Sequence, residues 1–190
     1  SSCRVSISFA GLQGTKKMKI SRKAMETFLF NGNKALKTEI AIIPITASYG
    51  YKSLAANTTG INNSAVGSSA LAANISGTNN TAVGYFALTA STTGNNNTAV
   101  GSSALATNVT GNDNTAVGYL ALTANATGLN NTAVGSSALR SASTANQNTA
   151  VGSSALTLTT IGINNVAIGY SALATATTSI SNTAIGSLAL

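Results

Sequence analysis

The chain has 190 residues, of which 44% are hydrophobic and 7% charged, and its formal net charge is +7. It contains no histidine or tryptophan and one cysteine, Cys3, which excludes a disulfide framework and a histidine- or cysteine-based metal cluster. The three acids, Glu26, Glu39 and Asp113, lie far apart, and the many serines have no histidine base. We therefore predict a protein that is not an enzyme and needs no cofactor or metal.

Residues 1–45 form a basic segment that differs in composition from the rest of the chain. Eight of the ten lysines and arginines lie there, at Arg4, Lys16, Lys17, Lys19, Arg22, Lys23, Lys34 and Lys37. The run "RVSISF" predicts a strand, and Asn31-Gly32 predicts a hairpin turn. We expect a short, irregular β element that caps the domain that follows. The run "KKMKISRK" is either a solvated segment or a contact for an anionic surface.

Residues 46–190, beyond Pro44, repeat with a fixed period of 17. The glycine of each "VG" or "IG" recurs without insertion or deletion at Gly67, Gly84, Gly101, Gly118, Gly135, Gly152, Gly169 and Gly186, and Gly50 begins the series. The decapeptide "NNTAVGSSAL" occurs identically at 96–105 and 130–139. A fixed short period is the signature of a repeat architecture.

The repeating unit predicts β-structure rather than helix. A 17-residue unit holds only one short helix, and its Asn, Thr and Gly clusters would interrupt it. In "NTAV", threonine and valine alternate with alanine, which is typical of a strand, and "SALA" suggests a second short strand. The two glycine columns predict corners with positive φ. We therefore predict an all-β fold, a parallel β-solenoid of about nine 17-residue coils.

Stacked coils place identical residues above one another, so each column of the repeat predicts one structural role. We expect the aliphatic columns to form the core. They comprise Val66, Val83, Val100, Val117, Val134, Val151, Ile168 and Ile185, with Leu71, Leu88, Leu105, Leu122, Leu139, Leu156 and Leu173. We expect an asparagine column to form a hydrogen-bonded ladder between coils. It comprises Asn63, Asn80, Asn97, Asn114, Asn131, Asn148, Asn165 and Asn182.

Two further columns are candidate surfaces. Tyr51, Tyr85, Tyr119 and Tyr170 follow the strand glycine and could stack on sugar rings or fill an interface between chains. Thr81, Thr98, Thr115, Thr132 and Thr149 could form an ice-binding ladder or lie in an interface. Val166 replaces threonine in the threonine column, which favours an inward or interface position for this column over an ice-binding role.

The coil "NNVAIGYSAL", residues 164–173, resembles the head repeats of trimeric autotransporter adhesins of the YadA type, with similar repeats in phage tail-fibre-like and bacterial surface proteins. The resemblance implies a left-handed parallel β-roll assembled as a trimer on a cell surface. It also implies that the positions of Val166 and Ile168 point inward. The 17-residue period is longer than is typical of those heads.

These observations predict an extracellular or cell-surface protein, or a virion fibre, that mediates attachment. The thin core of each coil favours a homo-oligomer, with a trimer first, and a host matrix protein or glycan is the expected partner. Because the repeats are nearly uncharged, we expect them to bind no nucleic acid. No apolar run has transmembrane length. Two alternatives stay open, an ice-binding solenoid and a self-assembling extracellular filament.

Overall fold

The computed structural model describes residues 46–190. The strand, hairpin and cap predicted within 1–45 lie outside the described residues. In the described part, the chain forms nine strands of three residues each. They are β1 (Ala47–Tyr49), β2 (Ser64–Val66), β3 (Thr81–Val83), β4 (Thr98–Val100), β5 (Thr115–Val117), β6 (Thr132–Val134), β7 (Thr149–Val151), β8 (Val166–Ile168) and β9 (Thr183–Ile185).

The strands form one parallel sheet in chain order, from β1 to β9. Each strand residue pairs with its equivalent in the next repeat, so Ala82 lies beside Ala99 and Val83 beside Val100. One 17-residue repeat is therefore one turn, and nine strands delimit about eight turns. This confirms the predicted parallel β-solenoid, whereas its left hand stays a prediction.

The core is built from two alanines and one leucine in each turn. Ala82, Ala87 and Leu88 are fully buried, as are their equivalents through most of the stack. The leucine column predicted for the core is confirmed, since Leu71, Leu88, Leu105, Leu122, Leu139 and Leu156 are fully buried and Leu173 nearly so. Each buried leucine contributes about 1.5–3 kcal/mol to the free energy of folding.

The prediction that the valine column lies in the core is wrong for the residues that the structure describes. In a three-residue strand the central alanine points inward, so the residues on either side point outward. The column from Val83 to Ile168 is 36–39% exposed, and the two ends are more exposed. The residues that this correction moves to the outer face are Val66, Val83, Val100, Val117, Val134, Val151, Ile168 and Ile185.

The second predicted strand, "SALA", is also absent from the described residues, although this segment bonds from turn to turn. Its backbone alternates in φ, with φ of 57° at Phe86 and 50° at Leu88. As a result, the Phe86 N–H donates to Ser68 O in the previous turn, and the Leu88 N–H donates to Ala104 O in the next. The segment thus joins three turns without strand dihedral angles.

The predicted asparagine ladder is confirmed, and we call it the strand ladder. At each step one asparagine Oδ1 accepts the backbone N–H of the asparagine in the next turn, and from Asn97 onward it also accepts the side-chain Nδ2–H. Asn131 makes these bonds to Asn114 Oδ1 at 3.0 and 3.2 Å. Its Nδ2 also donates to Ala145 O at 2.7 Å. The buried amides are therefore satisfied, as buried polar groups must be.

Candidate binding faces

The outer surface of the sheet is a candidate binding face, which we call the Thr/Val face. It consists of the first and third residues of each strand. Thr81, Thr98, Thr115, Thr132 and Thr149 are half-buried beside the exposed valines. Within residues 46–190, their hydroxyl groups make no hydrogen bond to another protein group. The face therefore presents a row of methyl groups and a row of hydroxyl groups at a spacing of about 4.8 Å along the stack.

The tyrosine column lies beside this face, two positions beyond the valines. Tyr51, Tyr85, Tyr119 and Tyr170 are 57–71% exposed. The Tyr85 ring packs edge-to-face on Phe86, with 4.3 Å between ring centroids. Lys52 Nζ lies 5.3 Å from the centroid of the Tyr51 ring. These side chains leave most of each ring accessible to a partner.

A second asparagine column forms a partial ladder that we call the corner ladder. It occupies the positions of Asn57, Asn74, Ser91, Asn108, Asn125, Ala142, Thr159 and Ala176. Asn125 Nδ2 donates to Asn108 Oδ1 at 2.8 Å and to Gly128 O at 3.2 Å. In the sequence, this column is marked by the asparagine of "N-x-T-G", a pattern that by itself indicates only a turn.

The corner ladder is interrupted where its asparagines are replaced. Asn74 Oδ1 and Asn125 Oδ1 are buried without a hydrogen-bond partner in the described residues, as is Ser91 Oγ. The next rung above Asn74 is Ser91, and the next above Asn125 is Ala142. Neither side chain carries an amide that could donate to the oxygen below it. The unsatisfied atoms therefore lie at the turns where the corner ladder lacks an asparagine.

The second glycine column is coupled to the corner ladder. Contrary to expectation, these glycines do not adopt the positive φ of the strand glycines. Instead, a Cβ at Gly60 would lie 2.5 Å from Asn57 Oδ1. The two turns without this glycine carry Ala145 and Ser179, and three residues earlier they have Ala142 and Ala176. A Cβ at Gly60 would lie still closer to Gly77 O, so the asparagine and the backbone of the next turn together favour glycine there.

Catalytic and metal-binding groups are sparse in the part of the chain that is described. Residues 46–190 contain no cluster of three or more His, Cys, Asp or Glu side chains suited to a metal ion. The only charged residues there are Lys52, Asp113 and Arg140. Over the same range, no helix has the length and apolarity needed to cross a membrane. The candidate faces therefore offer neutral contacts.

The sequence matches no protein-family model, no curated protein and no solved structure.

Proposed function

We propose that this chain is a non-catalytic segment of an extracellular fibre or surface projection that mediates attachment, and that several copies assemble side by side. Nine strands stacked at about 4.8 Å give a rise of about 38 Å from β1 to β9. Each turn contacts mainly its neighbours, so the stack extends without changing its cross-section. This shape suits a spacer or projection, and the resemblance to adhesin heads supports the same proposal.

The single observation that carries the proposal is the exposed aliphatic row of the Thr/Val face. From Val83 to Ile168 every turn exposes its valine or isoleucine to nearly the same extent. A continuous apolar row on a neutral surface is typical of an interface. A second copy is the occupant that fits best, because its own row has the same repeat and the same lack of charge. Three copies around one axis would bury all three rows, as the adhesin resemblance implies.

The test is the mass of the full 190-residue chain in solution, measured by size-exclusion chromatography with light scattering. We expect a trimer for the wild type and a monomer for Val100→Asp/Val117→Asp, because a carboxylate in a buried apolar interface is strongly unfavourable. The fold should persist in the variant, since neither side chain belongs to the core.

The matched control is Val109→Asp, because Val109 is 39% exposed but lies outside the strands. It should leave the mass unchanged. A wild-type monomer, or equal dissociation of the control, would contradict the proposed interface. Long polymers seen by electron microscopy would instead support the filament alternative.

Ice binding is the second candidate, and the threonine hydroxyls favour it. Thr98, Thr115 and Thr132 present hydroxyl groups at equal spacing without protein partners in the described residues. Such groups are available to order water. We expect thermal hysteresis from a monomer under this alternative, abolished by Thr115→Tyr because the ring disrupts the face. Ordinary freezing of the wild type removes the alternative.

A further inference from the structure

Between Ser68 and Ser137, the two positions after each strand glycine alternate between bulky and small side chains in successive turns, whereas the next turn repeats the small pair at Ser153-Ser154. The sequence of pairs is Ser68-Ser69, Tyr85-Phe86, Ser102-Ser103, Tyr119-Leu120 and Ser136-Ser137. Tyr85 and Tyr119 are more than half exposed, whereas Phe86 and Leu120 are half-buried beneath them. The surface therefore carries a ridge at every second turn, and a serine-lined slot separates the ridges. We call this surface the ridge row.

The spacing of the ridges restricts the ligand that could bind there. Two turns correspond to about 9.6 Å along the stack. The slot between Tyr85 and Tyr119 contains Ser102 and Ser103, whose hydroxyls make no hydrogen bond within the described residues. None of the three charged residues of 46–190 lies in these two columns between Ser68 and Ser137. The row thus offers aromatic faces and hydroxyl groups in a neutral, periodic array.

We propose that the ridge row binds an extended, uncharged β-1,4-linked polysaccharide. Successive sugars in such a chain are flipped, so every second ring presents the same face, and the repeat is a disaccharide comparable in length to two turns. Tyr85 and Tyr119 stack on alternate sugars, since exposed aromatic rings combine an apolar face with a polar group. The hydroxyls of Ser102 and Ser103 bond to the sugar between them. This inference rests on the proposed attachment function and names the chemistry that is recognised.

The first experiment is calorimetric titration of the full chain with cellohexaose and chitohexaose, with maltohexaose as the control. Both β-1,4-linked probes have the extended two-sugar repeat, whereas the α-1,4-linked control is helical. We expect binding to at least one of the first two and none to maltohexaose. Comparison of the two arms identifies whether glucose or N-acetylglucosamine is preferred. No binding to either β-1,4 probe, or equal binding to maltohexaose, overturns the inference.

The second experiment tests the two-turn spacing. Tyr119→Ser places in that turn the residue that neighbouring turns already carry, so folding should be preserved. Affinity should fall roughly tenfold through loss of one stacked ring. In Ser102→Tyr/Tyr119→Ser the number of tyrosines is unchanged, but the new ring lies only one turn from Tyr85, so the two-turn spacing remains only between Tyr51 and Tyr85. Affinity should fall at least as far. Wild-type affinity in this variant overturns the inference.

Light scattering on the same samples separates this inference from the fibre proposal. If the wild type assembles through Val100 and Val117 but binds neither probe, only the polysaccharide site fails. If Tyr119→Ser dissociates the assembly, the tyrosines belong to an interface between chains, and the inference is again overturned. Retained glycan binding by monomeric Val100→Asp/Val117→Asp supports a site that each chain carries independently.

Discussion

The strand ladder and the corner ladder use the same residue in the same fold, yet only one of them is complete. Every turn from Asn63 to Asn182 keeps its strand-ladder asparagine. The corner ladder loses its asparagine at Ser91, Ala142 and, later, Thr159 and Ala176. Both columns are buried through the middle of the stack, so burial alone does not explain the difference.

The difference lies in what the backbone requires. In the strand ladder the N–H of Asn131 has Asn114 Oδ1 as its acceptor, so the side chain satisfies a main-chain donor of the next turn. In the corner ladder the N–H of Asn108 donates to Leu105 O, within its own turn. The corner asparagine therefore makes side-chain hydrogen bonds, but no backbone N–H of the next turn uses it as an acceptor. Buried backbone groups are nearly always paired, so asparagine is required more strictly in the strand ladder than in the corner ladder.

The comparison is tested most directly by removing one rung from each ladder. Asn114→Ala should lower the free energy of unfolding by about 3–4 kcal/mol, because it leaves the Asn131 N–H buried without an acceptor. Asn108→Ala should cost about 1–2 kcal/mol, since Gly111 O still accepts from Asn97 Nδ2. Urea unfolding followed by circular dichroism measures both. An equal loss of unfolding free energy in the two variants would contradict the idea that the strand ladder is kept because it satisfies backbone N–H groups.

The coupling between the corner ladder and its glycine predicts a pair of opposite effects. Ala142→Asn alone should destabilise the protein by about 1–3 kcal/mol, because the new amide is crowded by the Cβ of Ala145. Ala142→Asn/Ala145→Gly should recover that loss, and the new Nδ2 can donate to Asn125 Oδ1. A double-mutant cycle of unfolding free energies measures the coupling. Additive effects of the two changes would contradict it.

Restoring an asparagine at position 91 of the corner ladder needs only one substitution, because Gly94 is already present three residues later. Ser91→Asn should raise the free energy of unfolding by about 1 kcal/mol, since it gives the unsatisfied Asn74 Oδ1 a donor. The midpoint of urea unfolding measures this gain. Ser91→Ala is the control, and it should not reproduce the increase. A loss of stability in Ser91→Asn would mean that the gap is required for packing.

The period, the parallel stacking, the leucine core and the strand ladder could be predicted because each depends on columns of identical residues. The direction of the valines could not be deduced from alternation, because "TAV" places threonine and valine on one side of the strand and alanine on the other without showing which side faces inward. The prediction that placed Val83 and Val100 in the core took the side with the larger aliphatic residues as the inward side. In so small a coil, alanine and one leucine fill the interior.

Other features had no reliable signal in the sequence. Leu88 adopts a φ of 50°, although L-residues other than asparagine, aspartate and glycine disfavour that region. Its conformation follows from full burial and from the hydrogen bond that its N–H donates to Ala104 O in the next turn, which are properties of the stack. The sequence shows that Ala142 and Ala145 replace asparagine and glycine in the same turn. Only the structure gives the reason, which is the short distance between Asn57 Oδ1 and a Cβ at Gly60 in the equivalent positions.

The exact return of each position after 17 residues also affects how such a gene can change. Identical stretches such as residues 96–105 and 130–139 permit unequal recombination, which adds or removes whole units. The fold tolerates any whole number of units, but the ridge row keeps its phase only when the number is even. Tyr119 and Tyr170 are 51 residues apart, whereas Tyr85 and Tyr119 are 34 apart. Gain of one unit produces such a phase shift, so the length of the stack and the spacing of its tyrosines can change separately.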